Sequence, residues 1–364
     1  MRESGEYREP NNLEKQYDTQ GRHYIEGEGE GEIPVGGKDY QYRVSFKRFG
    51  ENDNRFPTNQ RAIREVAPDL EMPHDHVVAE FWGWGETTAQ ADGDFLQIEL
   101  ERLRHLGYKN PKVVGINVSG RGTPEYMMAG NKEKISRISL LDETKNACDM
   151  TVALEAEGMF GKDCPISVIG HSMGYPNTAQ FVAALNSGDS KRVKKLLAMM
   201  PANDKYRAVA RPGFLWTVRN QVPPALEQWW NGGGSLELDE KDYHRIMLSD
   251  PTLSHRDQFE RGVPDSALRF LELTLANRDS TSGVFRPDGA GNDMDITIVE
   301  GGRDHLIPRS SIDKIARTVG AKGLNNRVTR ERMPDLAHFF PLRIRGVQRE
   351  QIREVLGRFL SKTI

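Results

Sequence analysis

Residues 166–176 read Ile-Ser-Val-Ile-Gly-His-Ser-Met-Gly-Tyr-Pro, and this stretch decides the fold. The apolar run 166–169 predicts a buried strand, and Pro176 suits the first turn of a helix, where a missing N–H costs nothing. Between them, residues 170–174 form a G-x-S-x-G pentapeptide. In this context the pattern predicts a strained strand-to-helix turn, with Ser172 projecting from the sheet and glycines permitting close backbone approach.

Short apolar runs alternate with longer amphipathic stretches on both sides of this turn. The predicted strands are 77–82, 112–118, 166–169, 196–200, 296–299 and a strand near 327–333, and the predicted helices are 95–106, 139–157, 177–185, 310–319 and 347–360. Such alternation is typical of a mostly parallel sheet with helices on both faces. The sequence therefore predicts an α/β fold.

The first 36 residues differ in charge from the rest of the chain. They contain nine acidic and four basic residues, a local balance of −5, with few apolar side chains. We expect an acidic arm over 1–36, with a solvated loop at the Gly-Glu alternation of 27–32. Apolar and polar residues alternate over 40–46, which predicts a half-buried strand, and Gly36-Gly37 before this segment suits a hairpin turn.

The alternation of strands and helices breaks between residues 204 and 291. Helical pieces there are separated by Pro223-Pro224, by Gly232–Gly234 and by a Gly/Asp/Asn-rich exit at 288–293. We predict a helical cap at 204–291, inserted between two parts of one core domain at 37–203 and 292–364.

Composition excludes several classes of partner. The 364 residues carry 50 basic and 53 acidic side chains, a net charge of −3, and no basic block stands out. Nucleic acid and anionic lipid therefore have no electrostatic support as partners. The sequence has no run of about 18 apolar residues and no secretory signal pattern in its first 30 residues. We expect a cytoplasmic protein without a membrane span that acts on a small molecule, and the oligomeric state stays open.

No cofactor or metal is predicted. Cys148 and Cys164 are too few for a disulfide framework or a four-thiolate zinc site, and we interpret both as small buried hydrophobes. His74-Asp75-His76 has metal-ligating residue types. Three consecutive side chains of an extended segment diverge, however, which argues against a shared metal ion.

The strand, the strained turn and the helix at 166–185 resemble the α/β-hydrolase superfamily, in which such a turn is called the nucleophile elbow. The resemblance implies catalytic residues in the order serine, acid, histidine. Residues 300–308, Glu-Gly-Gly-Arg-Asp-His-Leu-Ile-Pro, resemble the acid loop of that family and place the acid at Asp304. Residues 335–341, Asp-Leu-Ala-His-Phe-Phe-Pro, place the histidine at His338. Asp204, after the strand 196–200, is an alternative acid because some relatives carry theirs there.

These three residue types fit one chemistry. A serine hydroxyl is a poor nucleophile near neutral pH, an imidazole can accept its proton, and a buried carboxylate orients the imidazole. His305 lies too near the acid in sequence to be the base, and His171 is expected to pack behind Ser172.

The resemblance also implies an oxyanion hole. Its donors would be the backbone N–H groups of Met173 and, by position, Trp84. This chain departs from the family in two places: Trp82-Gly83 stands where relatives usually carry His-Gly, and Tyr175 replaces a small residue. In relatives the strand after the His-Gly segment typically ends in an Arg-Gly-x-Gly-like turn, and residues 117–122 are similar to that turn.

Aromatic residues near these loops and in the cap have two interpretations. Trp82, Phe339, the tryptophan of Leu215-Trp216 and Trp229 either line an apolar acyl or alcohol pocket or pack in the core. We expect a serine hydrolase that cleaves an ester, lactone or thioester. Carbon–carbon bond hydrolysis, acyl transfer, perhydrolysis and a non-catalytic receptor of the same fold are the alternatives. Chemistry that needs an aspartate nucleophile is disfavoured by Ser172.

Overall fold

The computed structural model describes residues 15–17, 23–26, 29–49, 60–83, 93–117, 139–187, 191–202, 283–304, 309–338 and 346–361, with single residues 219, 223, 226, 227, 230, 281, 307 and 344. Its strands are β1 Lys15–Tyr17, β2 His23–Glu26, β3 Gly29–Val35, β4 Lys38–Arg48, β5 Gln60–Ala67, β6 His76–Phe81, β7 Pro111–Ile116, β8 Ile166–His171, β9 Val193–Met199, β10 Asp295–Gly301 and β11 Arg327–Met333. Its helices are α1 Asp94–His105, α2 Leu140–Ala156, α3 Gly174–Leu185, α4 Arg309–Val319 and α5 Gly346–Leu360.

Nine strands form one sheet in the order β11-β10-β9-β8-β6-β7-β5-β4-β3. The six strands β6 to β11 are parallel to one another. Every residue of β6, β7 and β8 is buried, which explains their nearly continuous apolar sequences. The predicted parallel sheet is confirmed, and each of its six predicted strands is present with boundaries that differ by at most three residues.

Three antiparallel strands extend the sheet beyond β7. The predicted hairpin is confirmed: β3 and β4 pair antiparallel around Gly36 and Gly37, both of which have positive φ. The expectation of a solvated loop at 27–32 is wrong from residue 29 onward, because β3 begins there. Its alternating pattern buries Ile33 and Val35 and exposes the glutamates, so the sheet reaches into the segment predicted as an acidic arm. β1 and β2 form a separate two-stranded sheet.

β5 was not predicted, because charged side chains interrupt its apolar pattern. Arg61 and Arg64 are fully buried and point to opposite faces of the sheet. Arg61 donates to Glu143 of α2 at 2.9 Å. Arg64 pairs with Glu80 of β6 across β7, where Gly115 is the register partner of both residues and places no side chain between them.

Helices cover both faces of the sheet. On one face α2 packs against α3, and on the other α1 packs against α5. Adjacent residues of β6 show the division: Phe81 contacts Phe181 of α3 edge to face, with ring centroids 5.4 Å apart, and Glu80 faces Glu99 of α1. The buried apolar side chains of the described residues form one core that runs through both layers.

The turn between β8 and α3 is tightly built. Ser172 has a φ of 50°, in the left-handed region that few residues other than glycine adopt. Gly174 begins α3 directly on the end of β6, where a Cβ at residue 174 would lie 2.1 Å from the carbonyl oxygen of Phe81. At Gly170 a Cβ would lie 2.6 Å from the Thr178 side chain. Both glycines therefore permit helix and strand to approach closely.

The predicted cap at 204–291 lies almost entirely outside the described residues. Residues 283–291, at its carboxyl end, are described as turns that lead into β10. Among the helices in the described part of the chain, none has the length and apolar character that crossing a membrane requires.

The contact at Gly174 predicts that Gly174→Ala destabilises the protein. The added methyl group must displace the backbone of Phe81 or α3, and overpacking of this kind costs about 1–3 kcal/mol. Urea denaturation measures the loss. Gly283→Ala is the matched control, since a Cβ there meets no atom within 4 Å. Equal stability of the two variants would contradict the proposed close contact.

The buried acid Glu99 predicts a pH-dependent contribution to stability. Burial raises the pKa of the Glu99 carboxyl well above its ordinary value, and the Glu80 carboxylate raises it further, while Arg64 lowers it. The folded chain therefore holds a proton that the unfolded chain releases above about pH 4.3. This contribution to the free energy of unfolding falls as the pH rises from there toward the raised pKa.

Glu99→Gln should flatten this decline, because a neutral amide does not titrate. Urea midpoints measured from about pH 5 to about pH 8 for both proteins test it. Glu350→Gln, at a side chain that is 61% exposed, is the control. A decline as steep in Glu99→Gln as in the native protein would rule out this role of Glu99.

Candidate active site

Three side chains from distant segments meet at the carboxyl ends of the parallel strands. Ser172 follows β8, Asp304 follows β10, and His338 follows β11. The His338 Nε2 atom lies 3.0 Å from the Ser172 Oγ atom, and its Nδ1 atom lies 2.9 Å from the Asp304 Oδ2 atom. The structure thus brings together the three residues that the sequence analysis selected.

The partners of His338 define its tautomer. An ionised carboxylate only accepts hydrogen bonds, so Nδ1 carries the proton and donates to Asp304. The Nε2 atom is then free of hydrogen and accepts from the Ser172 hydroxyl. The second oxygen of Asp304 accepts from the backbone N–H of Ile307 at 2.9 Å. All three catalytic candidates are at most 5% exposed, which keeps competing water away from these bonds.

Main-chain hydrogen bonds hold the serine in place. The Ser172 N–H donates to the carbonyl oxygen of Met199 at 3.0 Å, and the Ser172 carbonyl oxygen accepts from the N–H of Ala202 at 2.9 Å. Both partners belong to the end of β9 and the turn after it. The strained backbone of the nucleophile candidate is therefore anchored to the neighbouring strand.

The acid loop, which follows β10 and carries Asp304, packs main chain against main chain on the histidine loop, which follows β11 and carries His338. The Gly302 N–H donates to Met333 and the Arg303 N–H donates to Leu336, at 2.8 and 3.0 Å. A Cβ at Gly302 would lie 2.3 Å from the carbonyl oxygen of Pro334, and one at Gly301 would lie 2.8 Å from that of Leu336. The Gly-Gly pair before Asp304 therefore sets the distance between the two loops, a role that the sequence analysis did not assign.

Of the two proposed oxyanion donors, one lies in the described part of the chain. Met173 is buried directly before the first residue of α3, and Trp84 lies outside the described residues. Trp82 follows β6 and is buried, with its ring against Phe95 at 5.5 Å and an interplanar angle of 88°. Tyr175, the second departure from the family pattern, is buried in the first turn of α3.

His171 contacts the histidine loop directly. The sequence predicts that this residue packs behind Ser172. In the structure its Nε2 atom lies 2.7 Å from the main-chain carbonyl oxygen of His338. A histidine next to a candidate nucleophile was visible in the sequence, but its partner depends on the fold.

The described residues do not include five further candidates: Asp204, His305, Phe339, the tryptophan of Leu215-Trp216, and Trp229.

His74, Asp75 and His76 hydrogen-bond to other parts of the chain near the opposite ends of the strands. The His74 Nδ1 atom lies 3.3 Å from the carbonyl oxygen of Asn110. The Asp75 carboxylate accepts from the N–H groups of Lys109 and Asn110. The His76 Nε2 atom lies 3.1 Å from the Ser167 Oγ atom. Burial lowers the pKa of His76 to about 4.

Comparison with known proteins identifies the architecture. The sequence matches no protein-family model and no curated protein. The structure is similar to an esterase from Exiguobacterium antarcticum, with a TM-score of 0.53 at 15% identity, covering 87% of this chain and 99% of that one. It is also similar to a thermophilic esterase from Thermogutta terrifontis, with a TM-score of 0.53 at 14% identity, covering 87% and 97%. Together with the parallel sheet and its helices, this likeness shows that the chain has the α/β-hydrolase fold.

Proposed function

We propose that the protein is a serine hydrolase that cleaves a carboxylic ester, lactone or thioester of an apolar or aromatic small molecule. The observation that carries the proposal is the buried chain of hydrogen bonds from Ser172 through His338 to Asp304. The order of these residues along the chain, and the strained turn under Ser172, fit nucleophilic catalysis by a serine.

The geometry supports a two-step reaction. As the Ser172 oxygen attacks the substrate carbonyl, its proton passes to the His338 Nε2 atom, and Asp304 stabilises the resulting imidazolium. The proton then goes to the leaving alcohol or thiol as the carbon–oxygen or carbon–sulfur bond breaks. A water molecule, deprotonated by His338, releases the acid and regenerates Ser172.

The tetrahedral intermediates need donors for their negative oxygen. In the proposed mechanism these are the backbone N–H groups of Met173 and Trp84, aided by the N-terminus of α3. The close contact of Gly174 with Phe81 supports this arrangement, because it holds the start of the 82–84 segment against the elbow.

The substrate class rests on two further features. In this proposal a cap at 204–291 closes over the site and selects the substrate. The apolar lining of the substrate pocket comes from Trp82, Phe339, Trp216 and Trp229. Both structural neighbours named above are esterases. Esters are therefore the first substrate class to test.

Covalent labelling tests the nucleophile. A fluorophosphonate probe should label the native protein at neutral pH and leave Ser172→Ala unlabelled, because only an activated serine reacts. Ser187→Ala, at an exposed serine just after α3, is the control and should label normally. A panel of p-nitrophenyl esters of varied acyl length, with lactones and thioesters, then defines the substrate. A native protein that is neither labelled nor active on any member of the panel would refute the proposal.

Substitution of the acid tests its role. Asp304→Asn presents an amide N–H to His338 and favours the wrong tautomer, so kcat for the best ester should fall roughly 10³- to 10⁴-fold. Asp335→Asn, on the histidine loop in an exposed pair with Arg303, is the control. If Asp204→Asn lost more activity than Asp304→Asn, the acid would have to be reassigned to Asp204.

A further inference from the structure

His171 and His338 are joined by a main-chain contact. His171 is the last residue of β8 and is fully buried. Its Nε2 atom lies 2.7 Å from the carbonyl oxygen of His338. Because a carbonyl oxygen only accepts, the Nε2 atom must carry a hydrogen and donate it.

Aromatic packing fixes the plane of the His171 ring. The ring centroid lies 5.2 Å from that of His338 and 5.6 Å from that of Trp82. Trp82 is in turn held edge to face by Phe95 of α1. The imidazole of His171 therefore sits between the end of β6 and the histidine loop, with its Nε2 atom directed at the carbonyl.

We propose that His171 is a positioning residue that sets the main chain of His338 relative to Ser172. The proposal rests on the function proposed above. The Asp304 bond fixes the rotation of the His338 ring, and the His171 bond fixes the backbone that carries the ring. Since residues 171 and 172 are adjacent, the nucleophile and the anchor of the base are separated by one peptide unit, about 3.8 Å between Cα atoms.

The His171 hydrogen bond links the main chain beside Ser172 directly to the main chain of His338. Ser172 and His338 are 166 positions apart in sequence, and without the His171 bond their relative position would depend on the packing of β8, β9, β10 and β11. The His171 Nε2 atom faces a carbonyl oxygen and not the Ser172 hydroxyl, so its role is to position His338 and not to transfer the proton.

A matched pair of substitutions tests the role. His171→Gln places an amide N–H near the position of the Nε2 atom and keeps the hydrogen bond. His171→Met has a similar length and volume but no donor. In His171→Met, the rate of fluorophosphonate labelling and kcat should fall roughly 10- to 100-fold with KM little changed. His171→Gln should stay close to the native values.

The decisive comparison is between His171→Gln, which keeps the hydrogen-bond donor, and His171→Met, which lacks it. A His171→Gln protein as impaired as His171→Met would overturn the donor role, and so would a His171→Met protein as active as the native one. If His171→Met fails to fold, His171→Asn replaces it, because its shorter amide cannot reach the carbonyl oxygen. Equal rates for His171→Asn and His171→Gln would then contradict the proposal.

Proton NMR gives a readout that does not require activity. The hydrogen between the His338 Nδ1 atom and Asp304 should give a downfield resonance in the native protein and in His171→Gln. It should shift or broaden in His171→Met. An unchanged resonance in His171→Met would overturn the positioning role. If the native protein shows this dependence on His171 but no labelling or hydrolysis, the proposed function fails and the structural role of His171 stands.

Discussion

The backbone of Ser172 occupies a conformation that costs energy, and the surrounding structure is arranged to hold it there. A φ of 50° at a residue with a Cβ costs about 1–3 kcal/mol, and such strain persists only where neighbouring contacts determine it. Here those contacts are hydrogen bonds to the end of β9 and the turn after it, with glycine on both sides of the turn. The strained turn presents the Ser172 hydroxyl to the His338 imidazole at the carboxyl ends of the strands.

The same principle extends to the other two site residues. Gly301 and Gly302 let the loops after β10 and β11 touch through their main chains, so Asp304 and His338 are placed by backbone contacts rather than by long side chains. Main-chain contacts leave little room for adjustment. The relative placement of Ser172, His338 and Asp304 thus follows from where the glycines are, and side-chain hydrogen bonds complete it.

Much of the parallel sheet could be predicted from sequence, because strands buried on both faces are nearly continuous apolar runs. The antiparallel part was harder. β3 has a Gly-Glu alternation that suggests solvent, and only its pairing with β4 makes it a strand. β5 was missed because Arg61, Arg64 and Glu65 interrupt it, and their burial is possible only through partners on α2, β6 and β7.

The candidate site was likewise predictable from the sequence only in part. Ser172, Asp304 and His338 followed from the resemblance of three segments, 166–185, 300–308 and 335–341, to the α/β-hydrolase superfamily and from the order of these segments along the chain. The contact of His171 with the His338 carbonyl was not predictable, because it joins segments that approach each other only in the folded chain. The roles assigned to Trp84, Phe339, Trp216, Trp229 and the cap remain predictions.

The buried arginines of β5 also determine how that strand aligns with its neighbours. Apolar side chains tolerate a shifted alignment if each still meets an apolar neighbour, whereas a buried guanidinium does not tolerate the loss of its carboxylate. A slip of one residue would turn Arg61 and Arg64 to the faces that hold the other's partner, and a slip of two would carry both past their carboxylates. The charges on opposite faces of β5 thus select a single pairing for the antiparallel extension of the sheet.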